Sequence, residues 1–222
     1  TYKGAVTIAE EATAFPMVTW PPDAGGLGFT FKWDMGFMHD TLKYMALDSY
    51  FRSKNHDKLT FSMFYAFSEN YILPFSHDEV VHGKKSMLCK MWGDYDQMFA
   101  SLRALWALQF AHPGKKLMFM GSEFGQFIEW DHKKPLDWFL LAYPQHECMR
   151  NFVRELNKLY SGLSPLWRDD HSWDGFKWLN VDDAERSSVA FMRLDGGDAV
   201  VCAFNFTTVR YDNFVIGLPA KG

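Results

Sequence analysis

An α/β domain followed by an all-β region is the fold class predicted by this 222-residue sequence. Two observations carry that prediction. Apolar runs of strand length alternate with stretches whose apolar residues recur at helical spacing, the pattern of parallel βαβ units. Past Asp169 the alternation stops, and three short β-runs follow. The last two of these are separated by Asp195-Gly196-Gly197-Asp198, a hairpin turn.

The elements can be justified in order. The run Ala5-Val6-Thr7-Ile8-Ala9, bounded by Gly4 and by Glu10-Glu11, predicts a buried strand. A loop rich in Pro and Gly follows over 16–28, and Phe29-Thr30-Phe31-Lys32-Trp33 then alternates as a β-strand ending in Asp34. Phe37, Met38, Leu42, Met45 and Ala46 form a helical stripe across 37–47. Residues 60–71 stay ambiguous, because Phe61, Phe64, Phe67 and Tyr71 fit a helix that lacks good caps. Tyr71-Ile72-Leu73-Pro74-Phe75 is a short buried strand.

Asp94 is placed to cap a helix running to about Ala111, with Met98, Leu102, Leu105, Trp106 and Leu108 inward and Pro113-Gly114 as its stop. Leu117 to Met120 predicts the next buried strand, ending at Gly121 and Glu123. A strongly amphipathic helix over 147–160 carries Met149, Phe152, Val153, Leu156 and Leu159, and Gly162 with Pro165 closes it. The β-runs fall at 176–181, 188–193 and 199–206, which sets a boundary between domains 1–168 and 169–222.

Composition excludes several classes of function. With 48% hydrophobic and 23% charged residues the chain has a soluble globular profile rather than a disordered one. A net charge of -4 and the lack of any basic run argue against a nucleic-acid partner. No apolar run approaches the ~20 residues of a membrane span. Cys89, Cys148 and Cys202 lie far apart without metal-ligand spacing, which suits a reducing, cytoplasmic setting; neither metal nor cofactor is expected. Aromatic residues reach 18%, enough to fill a core and still leave Trp and Tyr on loops to stack on sugar rings. The ends, Thr1-Tyr2-Lys3-Gly4 without an initiator Met and Leu218 to Gly222 just after a strand-like stretch, predict a piece of a longer protein.

The chemistry concentrates at Ser76-His77-Asp78-Glu79-Val80-Val81-His82-Gly83-Lys84, directly after the strand that ends at Phe75. A His-Asp-Glu cluster does not belong in a core, because buried charges are costly unless paired. At the end of a parallel strand it stands at the mouth of an α/β fold, where ligands bind; the alternative is a solvated polar loop. Glu10 shares that context after the strand 5–9, and parallel strands put both ends on one side. Paired carboxylates suit glycosyl chemistry, where one donates a proton to the leaving oxygen and another stabilises positive charge on the sugar. On spacing alone, Glu11 competes with Glu10.

Several segments resemble the α-amylase superfamily and, within it, the bacterial 1,4-α-glucan (glycogen) branching enzymes. They are Thr7-Ile8-Ala9-Glu10-Glu11, Phe31-Lys32-Trp33-Asp34-Met35-Gly36, Met38-His39-Asp40-Thr41-Leu42, His56-Asp57-Lys58-Leu59-Thr60-Phe61, the 76–84 string, Phe119-Met120-Gly121-Ser122-Glu123-Phe124, and Trp178-Leu179-Asn180-Val181-Asp182-Asp183 with Ser187. The resemblance runs nearly the whole length in order, and the Asp-Glu-Val-Val-His-Gly-Lys string is its most specific part.

It implies the second half of a (β/α)8 TIM-type barrel, strands five to eight, followed by part of an all-β C-terminal domain. It further implies Glu10 as general acid/base, Asp78 as the transition-state-stabilising carboxylate and His77 as a substrate contact. Glu79, His82, Lys84, Trp33, Asp34 and Glu123 each either line the glucan groove or fix a loop. The implied substrate is an α-1,4-glucan such as glycogen or amylose, cut and rejoined to a 6-hydroxyl by a retaining double displacement. The family nucleophile, an Asp in a Phe-Arg-x-Asp-Ala setting on the preceding strand, has no counterpart. Arg168-x-Asp170, Arg193-x-Asp195 and Arg210-x-Asp212 come after the barrel strands and read as chance. Without a nucleophile no glycosyl-enzyme intermediate forms, so the chain alone is expected to be inactive. The alternatives are a hydrolase of the same superfamily and a noncatalytic glucan-binding module.

Overall fold

A computed structural model of the chain describes residues 4–219; Thr1 to Lys3 and Ala220 to Gly222, part of the reading of the ends, lie outside them. Its first sheet has four parallel strands in sequential order: β1 (Ile8–Ala9), β2 (Phe31–Trp33), β3 (Tyr71–Phe75) and β4 (Lys115–Met118). The second is an antiparallel three-stranded sheet of β5 (Phe176–Asn180), β6 (Ser188–Asp195) and β7 (Asp198–Asn205). Asp195 pairs with Asp198 across the predicted hairpin, and Gly196 holds the positive φ of 59° that such a tight turn requires.

Helices cover one face of the parallel sheet. The long ones are α1 (Met35–Met45), α5 (Tyr95–Ala111) and α6 (Pro144–Gly162), with single turns α2 (Ser49–Arg52), α3 (Asp57–Thr60) and α4 (Met87–Lys90) between strands. Side chains alternate along a strand, so Leu73 and Phe75 both point into the helical layer, where each is fully buried. The Phe75 ring meets Phe37 of α1 at 6.1 Å and Trp106 of α5 at 5.4 Å between centroids. Residues 60–71, ambiguous in sequence, break into the end of α3, a 3-10 turn over Phe61–Phe64 and irregular chain up to β3.

Two expected strands differ. The strand expected as buried over 5–9 is only Ile8–Ala9, and Val6 and Ile8 are 59% and 47% exposed. It pairs with β2 on one side only and has no layer over its outward residues. The strand expected over 117–120 runs instead from Lys115 to Met118, while Met120 is 52% exposed. Pairing with Ile72 to Phe75 draws in the two lysines, whose ammonium groups are satisfied at the layer edges. Lys115 Nζ donates to the Trp167 carbonyl (2.6 Å) and Asp170 (2.9 Å), and Lys116 Nζ to the His112 carbonyl. A periodicity count that scores lysine as polar misses both.

The antiparallel sheet shares the same hydrophobic cluster, contributing Phe176, Val189 and Phe191, with Phe206 just beyond β7. Buried arginines lace the two sheets' layers. Arg193, fully buried, donates to Asp170 (2.7 Å) and to the carbonyls of Ala111 (2.9 Å), Asp169 (3.0 Å) and Gly175 (3.2 Å). Arg52 donates to the carbonyls of Phe206 (2.6 Å) and Met45 (3.0 Å). A buried cation is tolerable only when so completely partnered. Burial alone would raise the Asp170 carboxyl, but Lys116, Arg193 and Lys115 hold it near 2. Asp170 is thus a structural anchor.

Candidate active site

Four parallel strands place all their carboxyl ends on one rim, and two of those ends carry the candidate carboxylates. Glu10 immediately follows β1, exposed to solvent. Asp78 lies in the 3-10 turn His77–Val80 that follows β3. β1 and β3 flank β2, two strand spacings or about 10 Å apart. His77 Nε2 approaches Asp78 Oδ1 at 3.3 Å, with both side chains about half exposed.

The local fold separates Glu10 from Glu11. Glu11 forms an ion pair with the buried Lys32 at 2.7 Å and accepts the Thr13 amide at 2.7 Å. These partners, Lys32 foremost, hold its carboxyl down at about 2. A carboxylate so tied cannot donate a proton near neutral pH. Glu10, one residue earlier, takes no part in that ion pair.

Ser76 and Glu79 close a capping box that shapes the turn under Asp78: Glu79 Oε2 accepts the Ser76 amide at 2.6 Å and its hydroxyl at 2.8 Å. Glu79 is 7% exposed, so its carboxylate fixes the loop instead of lining a groove. Asp34 is likewise a fixing residue, 2% exposed. Its Oδ1 caps α1 through the Phe37 amide (2.8 Å) and accepts the Tyr65 hydroxyl (3.2 Å). Tyr65 reaches it over Gly36, where a Cβ would stand 2.3 Å from the Tyr65 oxygen. Burial pushes the Asp34 carboxyl up to about 6, against the pull of the Phe37 amide and Tyr65.

Trp33 and Asp34 line a cavity of about 630 Å³ with Glu11, Phe15, Trp20 and Tyr71. His82 and Lys84 stand exposed on the loop beyond Asp78. Glu123 sits on the 3-10 turn Ser122–Phe124 and lines a separate cavity with Met120, Arg150, Arg154 and Asn157, against α6. Sequence reasoning missed two residues at this rim, Glu129 and Trp130 in the loop after β4. Trp130 lies edge-on to His77, ring centroids 6.4 Å apart, and its amide donates to the Val80 carbonyl at 2.9 Å. Neither carries a spacing signal that marks it. Among the described residues no group of His, Cys, Asp or Glu could hold a metal ion, and no helix is long and apolar enough to cross a membrane.

The chain thus combines a parallel sheet with acidic residues along its carboxyl rim and an antiparallel β-region packed against it. Residues 178–222 match the family described as "Alpha amylase, C-terminal all-beta domain". The solved structures of an acarbose-soaked Nostoc punctiforme debranching enzyme (TM-score 0.61, 15% identity, 91% of this chain and 41% of that one) and of the H. orenii alpha-amylase (0.57, 14%, 92% and 44%) share the fold.

The sequence relatives narrow this further. The 1,4-alpha-glucan branching enzyme GlgB of Halothermothrix orenii is 53% identical over 98% of this chain, and that of Aquifex aeolicus 53% over 97%. That of Nitrosococcus oceani is 49% identical over the full chain. By sequence the chain is similar to the 1,4-alpha-glucan branching enzymes over nearly its whole length. It spans about a third of the length of these relatives, 35%, 35% and 30% respectively.

Proposed function

We propose that this chain is the acid/base-bearing part of a glycogen branching enzyme. Residues 1–168 would form strands five to eight of a (β/α)8 barrel, and 169–222 the start of its C-terminal β-sandwich domain. Glu10 protonates the leaving oxygen of a cleaved α-1,4 bond and then takes the proton of the incoming 6-hydroxyl. Asp78 stabilises the oxocarbenium-like transition state, and His77 contacts the same sugar. Trp33, His82, Lys84 and Glu123 border the glucan path. The nucleophile of the double displacement is not among residues 1–222.

The observation that carries this reading is the free Glu10 on the same strand-end rim as Asp78, with Glu11 sequestered by Lys32. The test joins this chain, in one polypeptide, to the upstream region of the Halothermothrix orenii relative and supplies amylose. Branching is read as a falling iodine colour together with new α-1,6 linkages. Glu10→Gln is expected to lower the rate at least ~10³-fold while amylose binding survives, the scale of lost acid/base catalysis. New reducing ends without α-1,6 linkages would make the protein a hydrolase. Binding without either reaction would make it a glucan-binding module.

A further inference from the structure

The loop beyond Asp78 holds a backbone that side chains disfavour. His82, Gly83 and Lys85 have φ of 57°, 79° and 70°, so two non-glycine residues within four positions adopt the left-handed region. Such a conformation persists only where the surroundings over-determine it. Here they come from the next strand's loop. Glu129 spreads both carboxylate oxygens over the bend: Oε2 accepts the Gly83 amide at 2.9 Å and Oε1 the Lys85 amide at 2.6 Å.

Other contacts lock the same two loops together. The Trp130 amide donates to the Val80 carbonyl at 2.9 Å, and the Trp130 ring lies edge-on to Phe119 at the end of β4 (5.0 Å) and to His77 (6.4 Å). From α4, Lys90 Nζ donates to the Lys84 carbonyl. The clamp therefore acts on the segment that carries His77, Asp78, His82 and Lys84.

We infer that Glu129 is a positioning residue: its carboxylate, gripping the Gly83 and Lys85 amides, sets the 82–85 bend so that His82 and Lys84 meet the glucan. This rests on the glucan reading of the site. A carboxylate suits the task, because it presents two acceptors and no donor to two N–H groups, and charge-assisted bonds of this kind are the strong ones. An amide at the same place must turn one N–H toward another.

The test uses the full 222-residue chain, hydrogen exchange read at single amides, and maltoheptaose as the probe. Glu129→Gln is expected to raise exchange of the Gly83 and Lys85 amides at least tenfold and to weaken maltoheptaose binding at least fivefold. Glu129→Asp, which keeps both acceptors on a shorter stem, should recover part of each. Asp183→Ala, which removes the Arg186 and Ser188 contacts ahead of β6 in the antiparallel sheet, controls for general loss of stability and should leave both readouts unchanged. Unaltered exchange in Glu129→Gln overturns the clamp, and raised exchange with unaltered affinity overturns its positioning role. Failure of the unsubstituted chain to bind maltoheptaose would instead overturn the glucan reading, and the exchange rates would still decide the clamp.

Discussion

Two neighbouring glutamates show how little residue type says about role. Glu10 and Glu11 are one peptide bond apart, yet Lys32 claims only the second. Asp34 shows the opposite electrostatic outcome, since burial raises its carboxyl to about 6. The folded state thus holds that proton more tightly than the unfolded chain, whose Asp titrates near ~3.9. The associated stability is fully present below ~3.9 and is lost as pH rises through about 6. Asn caps a helix as well as Asp does. Asp34→Asn is therefore expected to leave the urea midpoint unchanged at pH 4 and to raise it at pH 8, by at most about 3 kcal/mol of stability. A lower midpoint at pH 8 would show that the ionised carboxylate is needed there.

Among the elements, α5 is the one whose ends and stripe agree most fully with its sequence. Asp94 Oδ1 accepts the Gln97 amide and Gln97 Oε1 accepts the Asp94 amide, each at 2.9 Å, a reciprocal capping box. Phe99, Leu102, Leu105 and Trp106 are fully buried along the inward face. Removing the cap by Asp94→Ala leaves that face intact, so the loss should be about 1 kcal/mol. Urea unfolding at low protein concentration measures it, and a loss well beyond ~2 kcal/mol would mean that Asp94 does more than cap. Strands β1 and β4 are governed differently, because register with a neighbour, and not their own apolar run, decides where they begin and end.

On the scale of the molecule, the parallel sheet is covered on one face and, among the described residues, has unpaired edges at β1 and β4. Val6 and Ile8 beside one edge and Met120 beside the other are each about half exposed, and Trp33 and Leu117 are only partly covered. Unpaired strand edges next to exposed apolar residues favour association. The isolated chain is accordingly expected to bind a hydrophobic dye strongly and to elute as larger species as its concentration rises. A clean monomer with a sharp thermal transition and no dye binding would refute this and make the chain an independent domain.

By itself the sequence determined β3, the 94–111 helix with its cap, the Gly196-Gly197 turn and the carboxylates that follow β1 and β3. These are legible because local periodicity and turn chemistry act within a few residues of one another. Only the tertiary structure decided that Glu11 belongs to Lys32, that Asp34 and Glu79 are spent on holding loops, and that Glu129 grips the bend beyond Asp78. It also set the limits of β1 and β4. Each of these outcomes depends on a partner that is remote in the chain or on a neighbouring strand's register. A carboxylate's charge, reach and freedom are set by what the fold brings against it, and local spacing carries no record of that.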